Sequence, residues 1–170
     1  RVEDLTAQGL YVNESKSIAT YKTAYLQFNF PWVEGLSFKT SIGLNYRNSK
    51  SGSFTGVGVN ASATNPNSAS WSYNDNFNWT IENLLTFDRY FGKHHINAVA
   101  LYSAEQTTYT SQSMSAKNIP NELFQYYNIG SAVASDITVN GGGYTQTGLL
   151  SYMGRVMYTY DDRYMISAAV

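Results

Sequence analysis

Apolar and polar residues alternate along much of the chain, and a period of two predicts β-strands rather than helices. The clearest alternation runs from Leu36 to Arg47, where a large apolar or aromatic side chain stands at most even positions. By the same pattern six strands are predicted, near residues 24–30, 36–47, 77–87, 94–105, 151–160 and 164–170. The fold class predicted from this pattern is therefore all-β and antiparallel, with strands that run up and down.

The predicted connections differ in length at the two ends of the strands. Short turns are expected near residues 31–35, 88–93 and 161–163, and long polar loops near 48–72 and 106–143. Transmembrane β-barrels have this asymmetry, with short periplasmic turns and long external loops. The two long segments are accordingly interpreted as external loops.

The charged residues within the predicted strands share one face. Lys39, Glu82 and Arg155 each alternate with the apolar residues of their own strand. In a transmembrane barrel this face would line a polar lumen. In a soluble β-sandwich the same face would meet water and the apolar face would form the core. Alternation alone is compatible with both interpretations.

Aromatic spacing favours the membrane interpretation. Three predicted strands carry aromatic residues eight positions apart, namely Phe38 with Tyr46, Trp79 with Phe87, and Tyr152 with Tyr160. Eight residues cover about 26 Å of strand. At a tilt of about 40° they span roughly 20 Å, close to the apolar band of about 25 Å between aromatic girdles. The alternative explanation is that Tyr and Trp simply favour strands.

Composition excludes several other classes of protein. Only 14% of the 170 residues are charged and 15% are aromatic, the net charge is −1, and there is no cysteine. A disulfide scaffold, a zinc ribbon and a basic nucleic-acid surface are thereby excluded. His94 and His95 are adjacent and lack a third ligand nearby, so no metal site is predicted. No catalytic motif is present, and neither enzyme activity nor a cofactor is expected.

Several stretches, taken in order, resemble the middle of the SusC/RagA-type TonB-linked outer-membrane transporters. They are Val33–Lys39, Glu82–Asp88, Phe91–Asn97, Ser115–Pro120, Leu149–Val156 and Tyr160–Met165. The resemblance covers most of the chain from about residue 24 onward, and its specificity comes from the order of the pieces.

This resemblance implies a large barrel of about 22 strands with an N-terminal plug. Its implied partners are outer-membrane lipid, a SusD-like surface lipoprotein that acts as a lid, TonB, and an oligosaccharide or peptide solute. Residues 1–170 are then expected to be part of one barrel domain, about six strands of a larger wall. The plug and the TonB-contacting regions would lie outside this sequence. We expect an excerpt because six strands are too few to close such a barrel.

Five residues at the long-loop end are candidates for ligand binding. Trp71, Tyr73 and Asp75 lie where the first long loop meets a strand, and Tyr126 and Tyr127 lie in the second long loop. Exposed aromatic rings can stack on sugar faces, and carboxylates can accept hydrogen bonds from sugar hydroxyls. The alternative is that these rings pack within their own loops. Glu82 and Arg155 could likewise contact solute, the plug or only water.

Two other functions remain open from the sequence. One is a passive porin-like barrel, which an upstream plug domain would exclude. The other is a soluble β-sandwich that binds carbohydrate, which would be soluble without detergent.

Overall fold

The chain forms one six-stranded antiparallel sheet in which neighbours in sequence are neighbours in space. The computed structural model describes residues 8–59 and 66–170. The strands are β1 (Tyr11–Asn29), β2 (Leu36–Thr55), β3 (Ser68–Phe91), β4 (His94–Lys117), β5 (Ile137–Tyr160) and β6 (Tyr164–Ala169). Within the described ranges no helix is long and apolar enough to cross a membrane.

The six predicted strands are present, although β1 begins at Tyr11 rather than near residue 24, and the turns at 31–35 and 161–163 are confirmed. The turn predicted at 88–93 is shorter, because β3 continues to Phe91 and β4 begins at His94. In the β5–β6 turn, Arg163 N donates to Tyr160 O over 3.0 Å, and the register pairs Tyr160 with Tyr164. Asp161 and Asp162 both have positive φ, at 53° and 52°. Aspartate tolerates this region better than most residues, which explains the Asp-Asp pair at this position.

The predicted long loops, 48–72 and 106–143, are too wide. Residues 48–55 continue β2 and residues 68–72 begin β3, so the connection is 56–67, of which 60–65 lie outside the described residues. β4 continues to Lys117 and β5 begins at Ile137, which shortens the second connection to 118–136. These strand ends are rich in Ser, Gly and Asn, and their strand state depends on paired neighbours rather than on apolar alternation.

The described strands form a single sheet, whereas a β-sandwich consists of two packed sheets. Contacts group the described parts of the chain into two compact units. One unit contains Tyr46–Asn76, Thr108–Thr145 and residues up to Ala19. The other contains Thr20–Asn45, Phe77–Thr107 and Gln146–Val170. The first is called the loop-side unit and the second the turn-side unit, after the connections that each contains.

The turn-side unit has one apolar and one polar face. On the apolar side large side chains are exposed, including Leu26 (72%), Val156 (51%) and Ile42 (44%). On the polar side, Asn78 Nδ2 donates to Glu105 Oε1 and to Thr107 Oγ1, both over 2.8 Å. A soluble domain buries its large apolar face, whereas a barrel wall turns it to lipid.

The loop-side unit contains a small apolar core. Its buried residues are Phe54, Ala69, Ala116, Ile119, Ile129 and Ala132. Three of them come from strands β2, β3 and β4, and the other three from the 118–136 connection. The connection therefore packs onto the strands of this unit instead of extending into solvent.

Gly35 lies where the first hairpin touches β3, and its replacement is our first prediction. Gly35 has a φ of +85°, its carbonyl accepts from Asp88 N over 2.8 Å, and a Cβ would collide with the Asp88 backbone carbonyl. Gly35→Ala should lower the free energy of unfolding by at least about 2 kcal/mol, because backbone strain and a backbone clash add together. The measurement is the urea midpoint of unfolding, with the folded fraction read from gel mobility of unboiled samples.

Gly92→Ala is the matched control for Gly35→Ala. Gly92 also has positive φ, at +61°, but a Cβ there meets nothing within 4 Å. It should cost about 1 kcal/mol from backbone strain alone. Equal midpoints for the two variants would contradict the packing of Gly35 against Asp88.

Candidate ligand site

A cavity of about 510 Å³ opens within the loop-side unit. Strands β1, β2, β3 and β4 supply one side, and the 118–136 connection supplies the other. Its lining includes Lys16, Lys50, Gly52, Trp71, Met114, Tyr126 and Tyr127. The cavity thus combines three aromatic side chains with two exposed lysines, and its size suits a small ligand.

Tyr126 holds the connection over the sheet. Its ring packs against Gly52 so closely that a Cβ at residue 52 would collide with it. Its hydroxyl lies 2.7 Å from Glu14 Oε2 and 3.0 Å from the Tyr127 hydroxyl. Hydrogen bonding to Tyr127, desolvation and the Glu14 carboxylate raise the pKa of Tyr126 well above its ordinary value of 10. The phenol therefore stays protonated and holds its hydrogen bonds at neutral pH.

Polar contacts join the first residues of the 118–136 connection to the 56–67 connection. The Asn67 side chain pairs with the Ile119 backbone, donating through Nδ2 to Ile119 O over 2.9 Å and accepting from Ile119 N over 2.6 Å. Glu122 Oε1 accepts from Val57 N over 2.8 Å. Because Asn67 is only 6% exposed, losing this pairing would leave buried polar groups unsatisfied.

The structure brings three of the five predicted ligand residues together. Trp71, Tyr126 and Tyr127 line the cavity. Tyr126 and Tyr127 stack with ring centroids 4.2 Å apart. Tyr73 stacks on Trp71 at 6.2 Å and supports it from outside the lining.

Asp75, the fifth predicted ligand residue, lies outside the cavity lining and has polar partners of its own. It accepts from Asn48 Nδ2 over 3.4 Å and is hydrogen-bonded to Tyr46. Trp71 and Tyr73 precede Asp75 by even intervals on β3, so all three share the face of the sheet that carries Tyr46. Tyr46 is one of the aromatic residues expected at the membrane interface.

The three charged residues expected on the lumen side have varied surroundings. Lys39 Nζ lies 4.6 Å from the centroid of the Tyr25 ring, within the range of a cation–π contact. Glu82 and Arg155 are exposed. Glu82 is four residues from Asn78 on β3 and therefore shares the polar face that carries the Asn78–Glu105 hydrogen bond.

The two adjacent histidines contact different groups. His94 Nδ1 lies 2.6 Å from the Tyr158 hydroxyl, and His95 Nε2 lies 2.9 Å from Asp88 Oδ1. In the described part of the chain no three His, Asp or Glu side chains are grouped so that they could hold a metal ion.

Sequence reasoning missed the polar part of the cavity. Glu14 and Lys16 precede residue 24, where the first strand was predicted to begin, and Lys50 and Gly52 fell within a predicted loop. Lys16 and Glu14 stand two residues apart, and so do Lys50 and Gly52. This spacing is the pattern that could have placed them on one face of a strand.

The chemistry that this cavity can carry out is binding. Flat aromatic surfaces can pack against the C–H face of a sugar ring, and lysine ammonium groups attract phosphate or carboxylate. The aromatic rings and the lysines of the cavity therefore fit a ligand that carries both a ring and a negative charge.

Comparison with known proteins agrees with the barrel-wall fold. No protein-family model matches the chain. TonB-dependent receptor P3 of Formosa agariphila is 28% identical over 158 residues, which cover 92% of this chain and 15% of that receptor. TonB-dependent receptor P39 of the same organism is 25% identical over 174 residues, which cover all of this chain and 16% of that receptor. The chain thus spans about one sixth of the length of these relatives.

Solved structures share the fold. The structure of the RagAB peptide transporter superposes with a TM-score of 0.81 at 14% identity, over 98% of this chain and 18% of that one. The RagAB peptide importer in its closed-closed state gives a TM-score of 0.82 over 94% of this chain and 18% of that one, also at 14% identity. At such identity the likeness establishes the fold alone.

The chain is a segment of a transmembrane β-barrel wall, and its place is the outer membrane. Within this class the expected similarity to SusC/RagA-type TonB-linked transporters is confirmed by the two receptors and by the RagAB fold. Neither receptor name describes an enzyme, in agreement with the expectation that this chain is not one.

Our second prediction concerns the contact between Gly52 and Tyr126. Gly52→Ala should displace the Tyr126 ring and loosen the 118–136 connection, because overpacking a close contact costs about 1–3 kcal/mol. Hydrogen exchange measured by mass spectrometry should then become about ten times faster in peptides covering residues 122–131. Gly130→Ala is the control, since a Cβ there meets nothing within 4 Å. Equal exchange in both variants would mean that Tyr126 does not hold the connection.

Proposed function

We propose that this chain is a wall segment of a TonB-dependent outer-membrane transporter that imports oligosaccharides or peptides. Two observations together support the proposal. The antiparallel sheet has one apolar and one polar face, and the relatives that match 92% or more of the chain are TonB-dependent receptors. RagAB, whose fold the chain shares, is a peptide transporter. Peptides are therefore one solute class to test, and oligosaccharides are the other.

In this proposal the two faces of the sheet have different surroundings. Exposed apolar side chains such as Leu26, Ile42 and Val156 face outer-membrane lipid. Lys39, Glu82 and Arg155 face the lumen, where charged groups stay hydrated or meet solute and plug. Connections 56–67 and 118–136 lie on the external side, and the short turns lie on the periplasmic side.

The proposed partners follow from this placement. A SusD-like surface lipoprotein would cover the external end, and TonB would act through regions outside this sequence. The lengths of the strands favour a partner at the external end. β3, β4 and β5 each have 24 residues, more than twice the nine to eleven that a membrane strand requires. The remaining residues extend the wall beyond the lipid towards an external partner.

Our third prediction tests energised import in cells. A strain lacking the full-length gene should fail to take up one member of a panel of labelled oligosaccharides and peptides, and the gene should restore uptake. Uptake should also stop when a protonophore removes the energy that TonB relays. Solute entry that continues at the same rate in the presence of the protonophore would contradict the proposal and favour a passive porin.

Localisation supplies the control for that uptake measurement. The full-length protein should fractionate with the outer membrane and should migrate differently on a gel before and after boiling. A protein that is soluble without detergent and shows no mobility shift would contradict every barrel function.

A further inference from the structure

The cavity of the loop-side unit opens on the face of the sheet that carries Tyr46. Asn48 and Lys50 follow Tyr46 on β2 at even intervals, and both Asn48 and Tyr46 bond to Asp75 on the neighbouring strand. Trp71 lies on the same face of β3 as Asp75. A solute passing through the lumen would meet the face of the odd-numbered β2 residues. One of these, Ser51, pairs with Ser72 over 2.6 Å and also borders the cavity.

The distance from Tyr46 places the lysine of the cavity at a defined depth. Tyr46 is expected at the outer boundary of the apolar band, and Lys50 lies four residues further along β2, or about 13 Å. With a strand tilt of about 40° the rise is roughly 10 Å. The headgroup region is about 5–8 Å deep on each side, so Lys50 lies at or just above the level of lipid headgroups.

Apolar side chains on the connection have the exposure that such a location requires. Leu123 is 86% exposed, Tyr127 is 70% exposed and Val133 is 63% exposed, and all three belong to the 118–136 connection. Single exposed apolar residues are common, but several on one connection beside an aromatic cavity suit contact with lipid. The connection, whose Tyr126 packs on Gly52, thus exposes several apolar groups.

The charges of the cavity select an anionic ligand. Lys16 and Lys50 line it and are exposed, so a ligand can reach their ammonium groups; Lys50 Nζ also lies 5.9 Å from the centroid of the Tyr73 ring. The one carboxylate in the lining, Glu14, is engaged by the Tyr126 hydroxyl at 2.7 Å. Trp71 and Tyr127 add flat surfaces on which a sugar ring can lie. A phosphorylated sugar satisfies both features.

We propose that this cavity binds the phosphorylated sugar headgroup of a glycolipid in the outer leaflet. Phosphate oxygens would accept hydrogen bonds from Lys16 and Lys50, and the sugar ring would lie against Trp71 and Tyr127. The acyl chains would contact the exposed apolar side chains of the 118–136 connection. The inference rests on the outer-membrane placement in the proposed function and is independent of which solute is carried.

The test titrates purified full-length protein in detergent with fluorescent lipid A, a diphosphorylated glycolipid, and measures fluorescence anisotropy. Lys16→Ala combined with Lys50→Ala should weaken binding by about tenfold or more, because each lysine contributes to attraction of anionic lipid. Lys16→Arg combined with Lys50→Arg should retain binding. Lys117→Ala is the matched control, since Lys117 is also exposed but lies three residues from the cavity residue Met114 and so faces the other way on β4.

A second arm separates the glycolipid from a soluble solute. The deacylated phosphorylated disaccharide should bind at least about tenfold more weakly than lipid A, because it lacks the acyl chains that contact the exposed apolar side chains of the connection. Equal affinity for the two ligands would overturn the inference and assign the cavity to solute. Equal lipid A affinity in the double Ala variant and in Lys117→Ala would also overturn it.

Uptake measured with the same variants keeps this inference separate from the proposed function. Normal solute uptake by the double Ala variant, together with lost lipid A binding, supports a lipid site outside the transport path. Solute uptake lost in parallel with lipid A binding would place the cavity in that path and overturn the inference.

Discussion

The pairing of backbone hydrogen bonds between neighbouring strands is the constraint on which the rest of this structure depends. A strand that faces lipid on one side finds no water there, so its N–H and C=O groups must bond to adjacent strands. An up-and-down order satisfies this with the shortest connections, and the six strands follow it without a crossover. Once the backbone is paired, only the alternation of side chains decides which face meets lipid.

This constraint also explains how far the fold could be predicted from the sequence. Alternation is strong between Leu36 and Tyr46, and the strand, its neighbours and the short turns followed from it. It fails between Asn48 and Thr55, where small polar residues carry no apolar period. Those residues are strands because neighbours pair with them, as when the Ser53 and Ser70 hydroxyls meet at 2.7 Å. This pairing with a neighbouring strand depends on another part of the chain, so the residues from Asn48 to Thr55 show no alternation of their own that would predict a strand.

The cavity was less predictable than the fold. Aromatic residues beside the long connections indicated Trp71, Tyr126 and Tyr127, which the structure brings together. Their charged neighbours come from β1 and β2, more than 70 residues before Tyr126, and no spacing rule links such distant residues. What joins them is the connection that folds back onto the sheet, held by the Asn67 side chain and by the Tyr126 ring on Gly52. The wall thus acquires a candidate binding surface from a connection that the sequence alone describes only as polar.

The central claim is that the even-numbered residues between Leu36 and Tyr46 face lipid and the odd-numbered residues between them face a polar lumen. Spin labelling tests it most directly. The full-length protein, without other cysteines, would carry one cysteine at a time from residue 37 to residue 46. Each cysteine would be labelled with a nitroxide, and the protein would be reconstituted into a bilayer. Collisions with oxygen, which concentrates in lipid, should peak at Phe38, Ile42 and Leu44. Collisions with a water-soluble nickel chelate should peak at the odd positions between them. The opposite phase, or no period of two, would contradict the account.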